Sequence, residues 1–218
     1  MNTKTALIFG LTLYLLGGYN QAQAASVDLV PDDYRVFCGY LDALSEPNIQ
    51  KLKPKQRDVK IAKMAKLKLK DLLSHVERAK KYGETCEEVG KKAKEIIETQ
   101  AKSALGDQVE YFDLDYSDPS HVVVSARWKA KDKRLVHVEG LVLAHALAKE
   151  SSIAKTIAIR GVDPKAANSK SDDAVWFEGK GTPDRFKNIN VSRLKKLKPH
   201  QAKQADRYLR VFDGLVRK

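Results

Sequence analysis

Few residues in this chain have the types and spacing that chemistry requires. His137, Glu139 and His145 stand close together in "HVEGLVLAH". Two histidines gripping a metal from one helix need a spacing of four. These are eight apart, so His145, set among apolar residues, reads as a hydrogen-bonded core or edge histidine. Asp113, Asp115 and Asp118 in "DLDYSD" resemble the front of a calcium loop, but the glycine and terminal glutamate such a loop needs are missing. Asp118-Pro119 reads instead as a hairpin turn. No G-x-S-x-G and no phosphate-cradling glycine loop occurs. The residues therefore assign no catalytic group, no metal ligand and no cofactor.

Cys38 and Cys86 are the only cysteines. Their use follows from the first residues of the chain. Lys4 precedes an apolar run, Ala6 to Gly18, and then "AQA" places Ala22 and Ala24 at the small-residue positions before a cut. This is the pattern of a secretory signal peptide over 1–24, cleaved between Ala24 and Ala25. The run is too short for a span, which needs about 20 residues, and no later segment is apolar enough. The expected location is periplasmic or secreted, and an even cysteine pair there reads as a disulfide. Closing a loop of about 49 residues contributes about 4 kcal/mol in the chain-entropy account.

The remaining chemistry is charge. The formal net charge is +12. From Lys51 to Lys70 nine residues are basic and one, Asp58, is acidic; from Arg193 to Lys218 nine are basic and two acidic. These two segments hold more than the whole net charge, so the rest of the chain is net acidic. Confined charge of this kind is the footprint of an anionic partner. Lys60, Lys63, Lys66 and Lys70 fall away from Ile61, Ala65 and Leu72, as on a basic amphipathic helix. Aromatic interleaving of the kind single-stranded nucleic acid wants is absent from the first segment, and export argues against a chromosomal DNA role. The candidate anion-binding residues are Lys51, Lys53, Lys55, Lys60, Lys63, Lys66, Lys196 and Lys198, expected to form one joint site. Anionic lipid, polysaccharide or an acidic protein fits the compartment.

Two of those groups lie in a repeated stretch, "KLKPKQ" at Lys51–Gln56 and "KLKPHQ" at Lys196–Gln201. The flanks do not match, so no longer unit repeats. Each copy places a proline where a missing N–H costs nothing, at the first position of a helix.

The elements that must carry these residues follow from periodicity. "PDDYRVFCGYLDAL" is a helix with Tyr34, Phe37, Cys38, Leu41 and Leu44 on one stripe. A second helical region runs from Pro54 to about Tyr82, with a kink or turn at "LKLKD". Thr85 and Glu88 make a capping box that starts a third helix. After Gly106 the period becomes alternating. "VEYFDLDYS" and "HVVVSARWKA" read as paired strands, the second with Val122, Val124, Ala126 and Trp128 on one face. "VEGLVLAHALAKE" is a helix packed deep on a sheet, with Leu141–Leu147 at the centre of the core. "KTIAIRGVD" and "DAVWFEGKG" form a second strand pair, Thr182-Pro183 opens a short helix, and a last helix runs from Pro199 to about Val216.

The expected fold class is α+β: an N-terminal helical layer over 25–105, then a four-strand, mostly antiparallel sheet packed with helices over 106–218, the two forming one domain or two. The expected role is an exported, non-enzymatic binding or interaction protein for an anionic envelope component. The alternatives are a hydrolase-like enzyme with scattered site residues, or an accessory subunit docking on another exported protein.

Overall fold

A computed structural model describes residues 29–150, 153–166 and 168–217. The expected signal peptide over 1–24 lies outside the described residues. The chain opens with α1 (Pro31–Leu44), the one-turn α2 (Pro47–Gln50), α3 (Pro54–Met64), α4 (Leu69–Lys80) and α5 (Cys86–Leu105). The "LKLKD" stretch does divide two helices: α3 ends in a turn where Lys66 takes a positive φ of 55°, and Lys68 becomes the N-cap of α4. The Thr85–Glu88 capping box is present, each N–H bonded to the other's side chain at 3.2 Å.

Then come β1 (Val109–Asp115), β2 (Val123–Lys129), α6 (Val136–Glu150), β3 (Thr156–Val162), β4 (Val175–Gly181), the short α7 (Pro183–Lys187) and α8 (Val191–Leu194), a 3-10 helix (Pro199–Val211) and β5 (Gly214–Arg217). The class is α+β, with the sheet in the order β1-β2-β3-β4-β5. Three neighbouring pairs are antiparallel, and β2 and β3 are parallel, joined by the crossover helix α6. Alternation puts Val124, Ala126 and Trp128 of β2, Ile157 and Ile159 of β3 and Phe177 of β4 inside. α6 lies on that face, with Leu141, Leu143 and Leu147 wholly buried. Gly140 lets it approach: a Cβ there would stand 2.9 Å from the Phe177 ring. One buried cluster runs from Leu29 through α1, α4 and α5 to Phe212.

The sheet has five strands, not four, and the last helix is shorter than its apolar pattern suggests. It is a 3-10 helix because Ala202, Ala205, Tyr208 and Val211 recur every three residues, its own period, and all four are buried or half-buried. Phe212 then leaves the helix to seat its ring between Phe177 and Phe186, with centroids 5.3 and 5.0 Å apart, over Gly179, where a Cβ would stand 2.6 Å from it. This brings Asp213 to the edge of β4, where its N–H donates to the Lys180 carbonyl at 2.8 Å. The next residues pair as β5 and satisfy backbone groups of that edge.

Candidate anion-binding surface

The Cys38–Cys86 disulfide is formed, with Cα atoms 5.5 Å apart, and pins α1 to the first turn of α5. Tyr34 of α1 reinforces the same junction: its hydroxyl donates toward the carbonyls of Cys86 and Tyr116 at 3.3 and 3.2 Å. Burial pushes the Tyr34 phenol up to about 12.

α4 is held to α1 by a cluster that the sequence pattern does not announce. Asp33, fully buried, accepts from the Val30 N–H at 2.8 Å and from Arg78, and lies 2.6 Å from His75 Nδ1. Burial alone would raise its carboxyl, but these bonds outweigh burial and hold it below the ordinary range. Arg78 also donates to Ser74 Oγ at 2.6 Å. Both Asp33 oxygens and the neighbouring hydroxyl are thus engaged by one guanidinium, which makes the group a clamp between helices. Its one local sign is the position of Asp33 in the first turn of α1, where an acid suits the helix start.

With α1 and α4 fixed, α3 is placed: it packs on α1, α2 and α4. Its single acid, Asp58, accepts from Tyr40 Oη at 2.9 Å. Burial, then the hydrogen bond to Asp58, raises the Tyr40 phenol to about 12. Arg57 turns inward and donates to the carbonyls of Leu52 and Gln50, both at 2.7 Å. The eight lysines between 51 and 70 do neither. All but Lys60 are exposed, and among the described residues none has a carboxylate partner. In α5, by contrast, lysines are paired: Lys91 meets Glu87, Lys92 meets Glu95, Lys102 meets Glu98, and Lys94 reaches Asp113 on β1. Of the lysines between 51 and 70, Lys55, Lys60 and Lys63 line one shallow depression with Gln56 and Val59.

Lys196 and Lys198 are likewise exposed and have no carboxylate partner among the described residues, but they precede the 3-10 helix, which packs on α6 and on the turn 133–135. The acids of that C-terminal segment are turned to other partners: Asp206 lies 2.8 Å from His137 Nδ1 and Asp213 pairs with Arg185. The two basic segments therefore rest on different neighbours. What they share is local. Lys53 and Lys198 are both N-caps, Pro54 and Pro199 both follow them, and Gln56 and Gln201 each accept from the N-cap N–H, at 3.2 and 3.1 Å. The repeated stretch is a helix-start motif.

The other candidates are occupied. His145 Nδ1 lies 2.9 Å from the Phe186 carbonyl, as a hydrogen-bonded edge histidine should. Asp115 and Asp118 accept from Ser117 and Ser120 within the hairpin turn. Glu139, 7% exposed, accepts from Trp128 Nε1 at 3.0 Å, Gln108 Nε2 at 3.2 Å and the Lys131 N–H at 3.3 Å. Burial pushes its carboxyl up. On the sheet face away from α6, Tyr111, Ser125, Arg127, Ala158, Arg160 and Glu178 line a depression of about 260 Å³. Its charges are matched internally, Arg127 with Glu110 and Arg160 with Glu178. Among the described residues no group of three or more His, Cys, Asp or Glu is placed to hold a metal, and no helix is long and apolar enough to cross a membrane. The chain matches no protein-family model, no curated protein and no solved structure.

Proposed function

We propose that the protein is exported and binds an anionic component of the cell envelope through the basic surface of α3 and the α3–α4 turn. One observation carries the reading: among the described residues, eight lysines between 51 and 70 have no carboxylate partner, whereas the lysines of α5 are all paired. Like charges this close repel one another and cost stability, and an anionic partner relieves that cost. The supports for export are the signal-peptide pattern and the disulfide, which persists in oxidising compartments. Lys196 and Lys198 supply a second cationic group at the start of the 3-10 helix. A long anionic polymer or a charged surface can meet both groups, so they need no shared neighbour.

The test is binding to heparin and to lipopolysaccharide at low and high salt, comparing wild type with the triple variant Lys60→Glu, Lys63→Glu, Lys66→Glu. Wild-type binding weakens steeply with salt, as screened surface charge requires. The triple variant loses most of the low-salt binding and melts at the wild-type temperature. Equal binding by the two proteins rejects the surface. For export, the form recovered from the periplasm or medium of a secreting host begins at Ala25. Retention of the whole chain in the cytoplasm rejects that part.

A further inference from the structure

A pocket of about 290 Å³ opens where α6 meets α5 and α8. Each helix brings two polar side chains at a spacing of three or four, which puts them on one helix face. α5 brings Gln100 and Ser103, α6 brings His145 and Lys149, and α8 with its C-cap brings Ser192 and Lys195. Val142 and Ala146 of α6 supply an apolar wall. No Asp or Glu among the described residues lines it. The depression on the outer face of the sheet differs, because Arg127 and Arg160 there are already paired with Glu110 and Glu178.

The lining offers hydrogen bonds of both senses. The Phe186 carbonyl can only accept, so His145 Nδ1, 2.9 Å from it, carries the ring hydrogen. The neutral ring then presents Nε2 as an acceptor. The hydroxyls of Ser103 and Ser192 and the amide of Gln100 donate and accept, and Lys195 donates and carries charge. The side chains of these four residues have no partner among the described residues. A bare anion would use Lys195 and bring no donor for Nε2. A neutral sugar would leave the cation unused. A ring that carries hydroxyls and one acidic group uses both: the acid meets Lys195, one hydroxyl donates to Nε2, and the others exchange bonds with Gln100 and the serines. The volume is near the lower end for small-molecule sites, about 300 Å³, and suits a single ring. We infer that this pocket binds one acidic sugar residue. Lys195 adjoins Lys196 and Lys198 in sequence, so the sugar can belong to a longer anionic chain. That the envelope component is therefore an acidic polysaccharide rests on the basic-surface reading above; the pocket itself does not.

The experiment titrates isotope-labelled protein with glucuronate, glucose-6-phosphate, glucose, acetate and inorganic phosphate, following amide NMR shifts, and measures heparin binding beside it. Glucuronate binds if the acid is a carboxylate and glucose-6-phosphate if it is a phosphate. Either one shifts the amides of Ser103, Ser192 and Lys195 saturably, while glucose, acetate and inorganic phosphate bind about tenfold more weakly or worse. Three variants address the pocket. His145→Asn places its amide nitrogen where Nδ1 donates and removes Nε2, Ala146→Leu fills the space, and Lys195→Glu reverses the cation. Each weakens the acidic sugar about tenfold or more. Lys195 is exposed, so its variant keeps the test valid if the other two fail to fold. The triple lysine variant of α3 and its turn loses heparin and keeps the sugar. No saturable shift with either acidic sugar overturns the pocket, and so does acetate or phosphate binding as tightly as they do. Sugar binding undiminished in the folded pocket variants overturns it as well. Heparin binding that persists in those cases leaves the basic-surface reading standing. Sugar binding without heparin binding overturns that reading and leaves the pocket.

Discussion

Arg78 of α4 grips the buried carboxylate of Asp33 in the first turn of α1 from two sides, Nε at 3.0 and 3.1 Å from its two oxygens and Nη2 at 2.6 Å from Oδ1. Asp33→Asn breaks a buried pair and strands a guanidinium. The loss is about 2–3 kcal/mol, below that of a fully dry pair because Arg78 keeps 34% of its side-chain exposure. The pH dependence has a definite sign. The folded carboxyl is depressed, so its contribution is present above the ordinary carboxylate pKa of about 3.9 and is lost as pH falls through the lower folded value. The gap between wild type and Asp33→Asn, from urea midpoints, is therefore widest near neutrality and closes in acid. A gap independent of pH would mean that the Asp33 charge contributes nothing.

Removing the disulfide tests the same junction from the other side. Cys38→Ala and Cys86→Ala should each cost about 4 kcal/mol or somewhat less, since Tyr34 still links α1 to Cys86 and Tyr116. Denatured, unreduced wild type should show no reactive thiol by titration. Two reactive thiols, or strongly unequal costs for the two variants, would contradict a structural crosslink.

What could be read from the sequence was local. α1 begins at Pro31 and ends at Leu44 because proline sets its start and Ser45 and Pro47 interrupt its stripe. α5 starts where Thr85 and Glu88 cap it. The inward row Val122, Val124, Ala126, Trp128 follows from the strand period alone. The misses are non-local. β5 exists because Phe212 seats over Gly179, a contact across more than thirty residues. Asp33 and Arg78 are 45 apart, so neither reveals the other. For the candidate site, the concentration of lysines is legible. That Asp58 is spent on Tyr40 depends on how α1 meets α3.

The two copies of the repeated stretch should behave alike. Gln56→Ala and Gln201→Ala each remove one side-chain bond to an N-cap N–H, worth about 1 kcal/mol. Thermal melts of the two variants should show small and similar losses, with heparin binding unaffected. A Gln substitution that weakened heparin binding while leaving the melt unchanged would make the stretch a ligand contact.

Leu143 and Leu147 are fully buried, α6 being the crossover between the parallel strands β2 and β3. Leu143→Asp and Leu147→Asp each bury a carboxylate without a partner, and each should abolish cooperative folding. Circular dichroism melts check this. A cooperative transition near the wild-type temperature in both variants would remove α6 from the centre of the core.

Glu139 should titrate in the sense opposite to Asp33. Its three donors, Trp128, Gln108 and the Lys131 N–H, do not offset its burial, so its folded pKa lies above the ordinary value of about 4.3. A carboxyl raised on folding contributes stability that is complete below the unfolded pKa and is lost as pH rises through the folded one. Glu139→Gln removes that titration and keeps the side chain's shape. Its single amide oxygen cannot serve all three donors, so the variant is less stable in acid by roughly one hydrogen bond, about 1 kcal/mol. The advantage of wild type over Glu139→Gln should then shrink as pH rises toward neutrality, whereas its advantage over Asp33→Asn grows. Urea midpoints of the three proteins across that range test both signs in one series. An advantage over Glu139→Gln that increased with pH would mean that hydrogen bonds to the ionised carboxylate outweigh its burial.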